Sequence, residues 1–202
     1  MKVGFIVECG PQGAETKVIP HLAGLVAPDA KLAAPVTLDD KDKLRRECGR
    51  WAKTLLNQGC DRVLIMWDLM PDWGEYEGSG CRHEDKEQIA ASLKGAGLRP
   101  NDHRVRLVCI EKMLEAWLLA DERALAKFLE TKAHPVTVRR RKRTESDPDP
   151  KAALNTLFGT SDSRIRRYVD REHAIRIVRL LPDLSRLRQC ATFCRSEDKL
   201  TR

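Results

Sequence analysis

Short apolar runs alternate with amphipathic stretches along the first two thirds of the chain. The clearest apolar runs are KVGFIVE, DRVLIMWD and HRVRLVCIEKM, and a weaker one is AKLAAPVTL. Each is short and is followed by polar or turn-forming residues, which predicts buried strands. DRVLIMWD contains an unbroken apolar core, which is typical of a strand covered on both faces in a parallel sheet.

The segments between these runs have apolar residues at helical spacing. One helix is predicted from Glu15 to Val26, and a second begins after a cap at Asp39 or Asp40. KEQIAASLKGAG predicts a third helix, and LEAWLLADERALAKFLE is expected to form one strongly patterned helix. Strands that alternate with helices predict an α/β domain with a mostly parallel sheet flanked by helices.

The rest of the chain has a different pattern. Residues 131–150 are expected to form an exposed basic linker, with five consecutive basic residues from Arg139 to Arg143. PKAALNTLFG and the arginine-rich segment that follows it are expected to form short helices. We therefore predict an α/β domain over residues 1–130, the linker, and a basic helical C-terminal extension over residues 151–202 that packs on the same domain.

Composition sets limits on the class of protein. The chain has 202 residues, of which 42% are hydrophobic, enough for one sizeable domain with a buried core. No run is apolar and long enough to span a bilayer, so no membrane partner is predicted. The seven cysteines are scattered and odd in number, which favours a reducing compartment. With no visible signal peptide, the sequence predicts a cytoplasmic protein.

The net charge of +7 is unevenly distributed. Residues 1–125 carry 18 Lys and Arg against 20 Asp and Glu, whereas residues 126–202 carry 19 against 10. A basic face of this kind favours a polyanionic partner, of which nucleic acid is the commonest. The alternative is an arginine-rich helical surface that is simply solvated.

Pairs of acids follow three of the predicted strands. In chain order they are Glu8 and Glu15, Asp68 and Asp72, and Glu111 and Glu115. The carboxyl ends of parallel strands meet at one edge of a sheet, so these acids are expected to gather there. Gathered carboxylates repel one another unless their pKa values rise or cations bind, and their oxygens suit Mg²⁺ or Mn²⁺. Two such ions support phosphodiester cleavage.

Each of these acids also has an ordinary structural explanation. Glu15 would favour a helix N-terminus electrostatically, and Glu115 would be a surface residue of an amphipathic helix. Other motifs are weaker, since the turn GPQG lacks the ending of a nucleotide P-loop and the cysteines complete no zinc pattern. Trp67 and Trp117 fit the core better than a platform for stacking bases.

At the acidic motifs the sequence resembles a Toprim-type domain, the α/β module of topoisomerases, primases and OLD-type nucleases. More narrowly, it is similar to the DUF4276 family of small Toprim-like proteins, relatives of OLD-type nucleases and anti-phage defence effectors. The matching segments, which extend to about Phe158, are VECGPQGAE, VLIMWDLMPD, IEKMLEAWLLAD and DPKAALNTLF. In the usual Toprim pattern, glycine closely follows the glutamate and one residue separates the two aspartates. Here Cys9 lies between Glu8 and Gly10, and Leu-Met-Pro separates Asp68 from Asp72.

The resemblance implies roles for the acids. Glu8 matches the glutamate that acts as general acid/base or metal ligand, and Asp68 and Asp72 match metal-binding aspartates. Glu15 matches the second glutamate of the OLD-type first motif, and Glu111 and Glu115 are further candidate ligands on their spacing alone. The implied cofactor is Mg²⁺ or Mn²⁺.

The predicted function is a divalent-metal-dependent nuclease that acts on DNA or RNA. The resemblance also implies a separately encoded ATPase partner, a role in anti-phage defence, and a homodimer. The residues expected to bind the phosphate backbone are Arg139, Arg140, Arg141, Lys142, Arg143, Arg164, Arg166 and Arg167. One alternative is a non-catalytic module that binds nucleic acid or protein. Another is a Mg²⁺-dependent phosphoryl-transfer enzyme acting on a nucleotide in a closed pocket.

Overall fold

A computed structural model of the chain describes residues 1–69, 82–131, 134–161 and 165–202. The strands in these ranges form one parallel sheet, and they are β1 Lys2–Val7, β2 Lys31–Leu32, β3 Val36–Thr37, β4 Arg62–Asp68 and β5 Val105–Ile110. The strand order is β2-β1-β4-β5, and β3 pairs with β1 beyond β2. The α/β class and the parallel sheet flanked by helices are thus confirmed.

The α-helices of the described ranges cover both faces of the sheet. They are α1 Glu15–Val26, α2 Lys41–Asn57, α3 Arg82–Gly95, α4 Glu115–Ala120, α5 Glu122–Leu129, α6 Pro150–Thr160, α7 Asp170–Val178 and α8 Ala191–Thr201. In the parts of the chain that the structure describes, no helix is long and apolar enough to cross a membrane.

Two predicted elements are each divided in the structure. The run AKLAAPVTL forms the two short strands β2 and β3, and Pro35, which has no N–H to donate to a sheet, lies between them. The single helix predicted for LEAWLLADERALAKFLE is wrong, because α4 and α5 meet at Asp121. The Asp121 carboxylate accepts hydrogen bonds from the N–H groups of Arg123 and Ala124, at 3.0 and 3.1 Å. The residue caps α5 instead of continuing α4.

Alternate residues of the sheet supply two separate apolar clusters. On one face, side chains such as Phe5 pack against α1 and the helices from α4 onwards. On the other face, Ile65 and Trp67 pack against α2 and α3. The first cluster extends to Leu200 in α8, so the C-terminal helices share a core with the sheet. Trp67 and Trp117 are buried, which confirms their predicted place in the core.

Candidate active site

Four of the six predicted acids line one cleft at the carboxyl end of the sheet. Glu8 directly follows β1, and Asp68 ends the neighbouring strand β4. Glu15 and Glu115 are the first residues of α1 and α4. The cleft has a volume of about 680 Å³, and all four residues line it. Strand ends and helix starts from separate parts of the chain thus converge on one site.

The other two acids are not part of the described cleft. Glu111 does not line it, and its carboxylate lies 3.1 Å from the Arg82 guanidinium and 3.9 Å from that of Arg195. Lys112 has a left-handed backbone with φ of 65°, which turns the chain between Glu111 and the start of α4. Asp72 lies outside the described residues.

A tight turn brings Glu8 and Glu15 to the same cleft. The Gly13 N–H donates to the Gly10 carbonyl at 2.8 Å, and α1 begins two residues later. A side chain at Gly13 would place its Cβ 2.4 Å from Cys9 Cβ and 2.8 Å from Glu15 Oε2. Glycine is therefore required here by the close approach of Cys9 and Glu15. This close approach explains why the two acids flank a glycine-containing turn.

The cleft opposes the ionisation of its acids. Burial raises the pKa of Glu8 to about 8, with Glu15 adding to the effect and Lys41 opposing it. Burial also raises the pKa of Asp68 well above its ordinary value, and the charges of Glu8, Glu15 and Glu115 contribute. The carboxylates are therefore close enough to repel one another electrostatically.

Buried acids elsewhere in the described chain have arginine partners. Asp85 lies 2.7 Å from the Arg45 guanidinium and accepts a hydrogen bond from Trp67 Nε1 at 2.8 Å. Among the described residues, the buried Oε2 of Glu8 has neither a hydrogen-bond partner nor an ion pair with an arginine, whereas Asp85 Oδ1, which also accepts no hydrogen bond, has its ion pair with Arg45. A buried carboxylate oxygen without a partner is costly, and it is available to a ligand that enters the cleft.

Glu115 is held inside the cleft rather than on the protein surface. Its side chain is buried, which overturns the alternative of an exposed residue on an amphipathic helix. The Tyr168 hydroxyl donates to Glu115 Oε1 at 3.2 Å. Burial raises the pKa of Glu115 to about 7, with Glu15 and Asp170 adding to the effect and Lys151 opposing it.

Two lysines of the cleft were missed in the sequence. Lys41, the first residue of α2, is buried, and its Nζ donates to the Leu69 carbonyl at 2.9 Å. Lys151, in the first turn of α6, donates to Asp170 Oδ2 at 2.8 Å. The signal for Lys151 was its place in DPKAALNTLF, one of the segments that carry the resemblance. No motif marks Lys41, because the sequence pattern there indicates only a helix that begins after a cap at Asp39 or Asp40.

The donor chemistry of the cleft fits a hard divalent cation. Glu8, Glu15 and Asp68 offer carboxylate oxygens, which Mg²⁺ and Mn²⁺ prefer, and the Glu8 oxygen without a partner is available to a cation. Within the described ranges, the side chains as positioned do not form a group of three or more acidic, histidine or cysteine ligands for a metal ion. The residues present thus fit a cation in their chemistry, whereas their positions do not form a closed coordination shell.

The basic run Arg139–Arg143, called here the basic segment, is exposed along its whole length. It borders an open concavity of about 610 Å³. Glu145 anchors the end of the segment, since its carboxylate accepts hydrogen bonds from the Ala191 and Thr192 N–H groups at 2.7 and 3.0 Å. The chain then continues to Pro148, which lines the acidic cleft, so the basic segment and the cleft are joined by a short anchored connection.

The members of the basic segment differ in how far they are paired. Arg141 lies 3.0 Å from the Asp147 carboxylate, and Arg140 donates to the uncharged side chain of Gln189. Over the described part of the chain, Arg139, Lys142 and Arg143 have no such partner. Their positive charges are therefore available to an external anion.

Some arginines of the C-terminal extension form ion pairs with acids of other structural elements. Arg186 lies 2.8 Å from Glu122, and Arg188 lies 2.6 Å from Glu197. Arg166 and Arg167 are both exposed, and Arg166 donates to the Ser161 carbonyl at 2.7 Å. Arg164 lies outside the described residues. The excess charge of the extension is thus partly neutralised within the protein.

Comparison with known proteins identifies no relative: no family model, no curated protein and no solved structure matches the chain. The function must therefore be inferred from the chemistry and geometry of the cleft and the basic segment.

Proposed function

We propose that the protein is a divalent-metal-dependent nuclease of the Toprim-like class, which hydrolyses phosphodiester bonds in DNA or RNA. The observation that carries this proposal is the convergence of Glu8, Asp68, Glu15 and Glu115 on one cleft. Burial raises the pKa values of Glu8, Asp68 and Glu115, so the cleft favours any process that neutralises their charge. A divalent cation does this while leaving the carboxylates ionised.

The residues of the cleft have separate roles in this proposal. Glu8, Asp68 and Glu15 would hold Mg²⁺ or Mn²⁺, which supplies charge neutralisation of the phosphate and activation of a water nucleophile. In the cleft without a cation, burial raises the pKa of Glu8 to about 8, so binding of the cation would release the proton from this carboxyl group. Lys41 and Lys151 bring positive charge to a cleft that is otherwise acidic, and they would attract the phosphate oxygens.

The basic segment would hold the rest of the substrate. Its exposed cations suit the repeating negative charge of a nucleic-acid backbone, and this contact carries no sequence information. Because Glu145 anchors the segment next to the chain that lines the cleft, a backbone bound there would lead toward the acids. An ATPase partner, a homodimer and a role in anti-phage defence belong to the same proposal and rest on the sequence resemblance alone.

The test is a cleavage assay with matched variants. The purified protein is incubated with plasmid DNA, single-stranded DNA and tRNA, in Mg²⁺, Mn²⁺ or EDTA. Glu8→Gln removes one carboxylate of the cleft, and Glu111→Gln removes an acid that follows a strand but lies outside the cleft. We expect metal-dependent cleavage that Glu8→Gln abolishes and Glu111→Gln retains. Cleavage that persists in EDTA or in Glu8→Gln would refute the proposed site.

A second candidate function is a non-catalytic nucleic-acid-binding module. It is favoured by the lack of a group of three or more metal-ligating side chains in the described ranges. The outcome that supports it is an absence of cleavage in every metal, together with salt-sensitive binding that Glu8→Gln leaves intact. Binding of this kind would depend on the basic segment rather than on the cleft.

A further inference from the structure

The acid Glu115 is held in place from a distant part of the chain. Its Oε1 accepts a hydrogen bond from the Tyr168 hydroxyl at 3.2 Å, across 53 residues of sequence. Tyr168 is 2% exposed and Glu115 is 6% exposed, so water competes little for this contact. A hydrogen bond to one carboxylate oxygen limits the orientations that the other can adopt.

Tyr168 is itself rigidly placed. Its backbone N–H donates to Asn155 Oδ1 at 3.1 Å. Its ring packs edge-to-face on Phe158, with centroids 5.6 Å apart and planes at 80°. A hydroxyl on such a fixed ring has a defined position, so it can hold the Glu115 carboxylate in one place.

The start of α7, directly after the connection that contains Tyr168, also holds a lysine of the cleft. Asp170, two residues after Tyr168, accepts a hydrogen bond from Lys151 Nζ at 2.8 Å. The segment 168–170 therefore contacts both an acid and a base that line the cleft. Neither Tyr168 nor this arrangement was indicated by the sequence motifs.

We propose that Tyr168 is a positioning residue for the metal site: its hydroxyl, through the hydrogen bond to Glu115, fixes the carboxylate as a ligand for a divalent cation. The inference rests on the proposed function, because it assigns Glu115 to the cation of that site. Groups that hydrogen-bond to a metal ligand orient it, and their loss typically weakens metal binding by about 10- to 100-fold. Tyr168 touches neither substrate nor cation in this role.

The experiment measures Mn²⁺ affinity directly, by electron paramagnetic resonance of the free ion, in protein without substrate. The variants are Tyr168→Phe, which removes only the hydroxyl, Glu115→Gln, and the double variant. The control is Thr144→Val, which removes a buried hydroxyl that contacts Cys190 Sγ away from the cleft. Melting temperatures of all four variants show whether a loss of affinity reflects a loss of folded protein.

We expect Tyr168→Phe to weaken Mn²⁺ binding about tenfold, at the lower end of the effect of such groups, and Thr144→Val to leave it unchanged. Because Tyr168 acts through Glu115, adding Tyr168→Phe to Glu115→Gln should cause little further loss. A merely structural role would give additive losses in the double variant and would contradict the proposal.

The remaining outcomes separate this inference from the proposed function. If wild type binds Mn²⁺ and Glu115→Gln weakens it, but Tyr168→Phe matches wild type, the positioning role is refuted and the metal site stands. If Glu115→Gln also matches wild type, Glu115 is not a ligand and the inference fails, while Glu8 and Asp68 remain candidates. If wild type binds no Mn²⁺, both the inference and the metal-dependent function are refuted.

Discussion

Replacing Glu8 by glutamine should make the protein more stable at alkaline pH while removing its proposed activity. Glutamine keeps the size of the side chain but cannot ionise. In wild type, burial raises the pKa of Glu8 from 4.5 to about 8, against the opposing charge of Lys41. The ionised form of Glu8 is therefore unfavourable in the folded protein, and the substitution removes that cost.

The direction of the pH dependence follows from this difference. Because the folded pKa lies above the unfolded one, the folded state holds the proton more tightly between these two values. The free energy of unfolding therefore falls as the pH rises from about 4.5 to about 8. At about 1.4 kcal/mol for each pKa unit, ionising Glu8 lowers the stability of wild type by about 4 kcal/mol over this range. For a chain of this size that corresponds to a change of about 10 °C in melting temperature.

The assay is thermal unfolding from about pH 5 to about pH 9, in EDTA, for wild type, Glu8→Gln and Glu111→Gln. Asp68 and Glu115 are present in wild type and in both variants. The difference between the stability curves of wild type and Glu8→Gln therefore reports the ionisation of Glu8 and its electrostatic coupling to these two acids. We expect Glu8→Gln to gain stability relative to wild type as the pH rises, and Glu111→Gln to follow wild type. Parallel curves for wild type and Glu8→Gln would refute the reasoning, because they would mean that Glu8 ionises without cost in the folded protein.

Three further predictions test other parts of the structure. Mg²⁺ or Mn²⁺ should raise the melting temperature of wild type more at about pH 8 than at about pH 5, because protons compete with the cation for the carboxylates. Differential scanning fluorimetry measures this rise, and an equal rise at both pH values would contradict a carboxylate site. Neutralising Arg139 and Lys142 together should reduce the slope of log binding constant against log salt concentration by about two, because two fewer counterions are released on nucleic-acid binding. Fluorescence anisotropy over a salt series measures this slope, and an unchanged slope would exclude these residues from phosphate contact. Gly13→Ala should lower the free energy of unfolding by about 1–3 kcal/mol in urea titrations, since its Cβ would overlap Cys9 Cβ, and an unchanged midpoint would show that the turn can open.

The local pattern of the sequence determined most of the secondary structure. The helix predicted from Glu15 to Val26 has those bounds in the structure, and Asp40 caps α2 by accepting from the Lys43 N–H at 2.7 Å. These features depend on neighbouring residues: apolar periodicity, a capping side chain, and turns that end each run. Asp121 shows where local pattern fails, because its neighbours have helical periodicity on both sides while its side chain caps the second helix.

The sequence also determined that acids would follow the strands, but only the tertiary structure decided which of them share a cleft. Glu111 and Glu115 lie four residues apart, yet Glu111 pairs with Arg82 while Glu115 is buried beside Tyr168. Which side of the sheet edge each carboxylate reaches depends on the turn at Lys112 and on how α4 packs, which no short pattern encodes. The lysines and the tyrosine of the site come from α2, α6 and the connection to α7, far apart in sequence. Their proximity results from burial of the shared apolar core, and long-range packing of this kind cannot be derived from residue spacing alone.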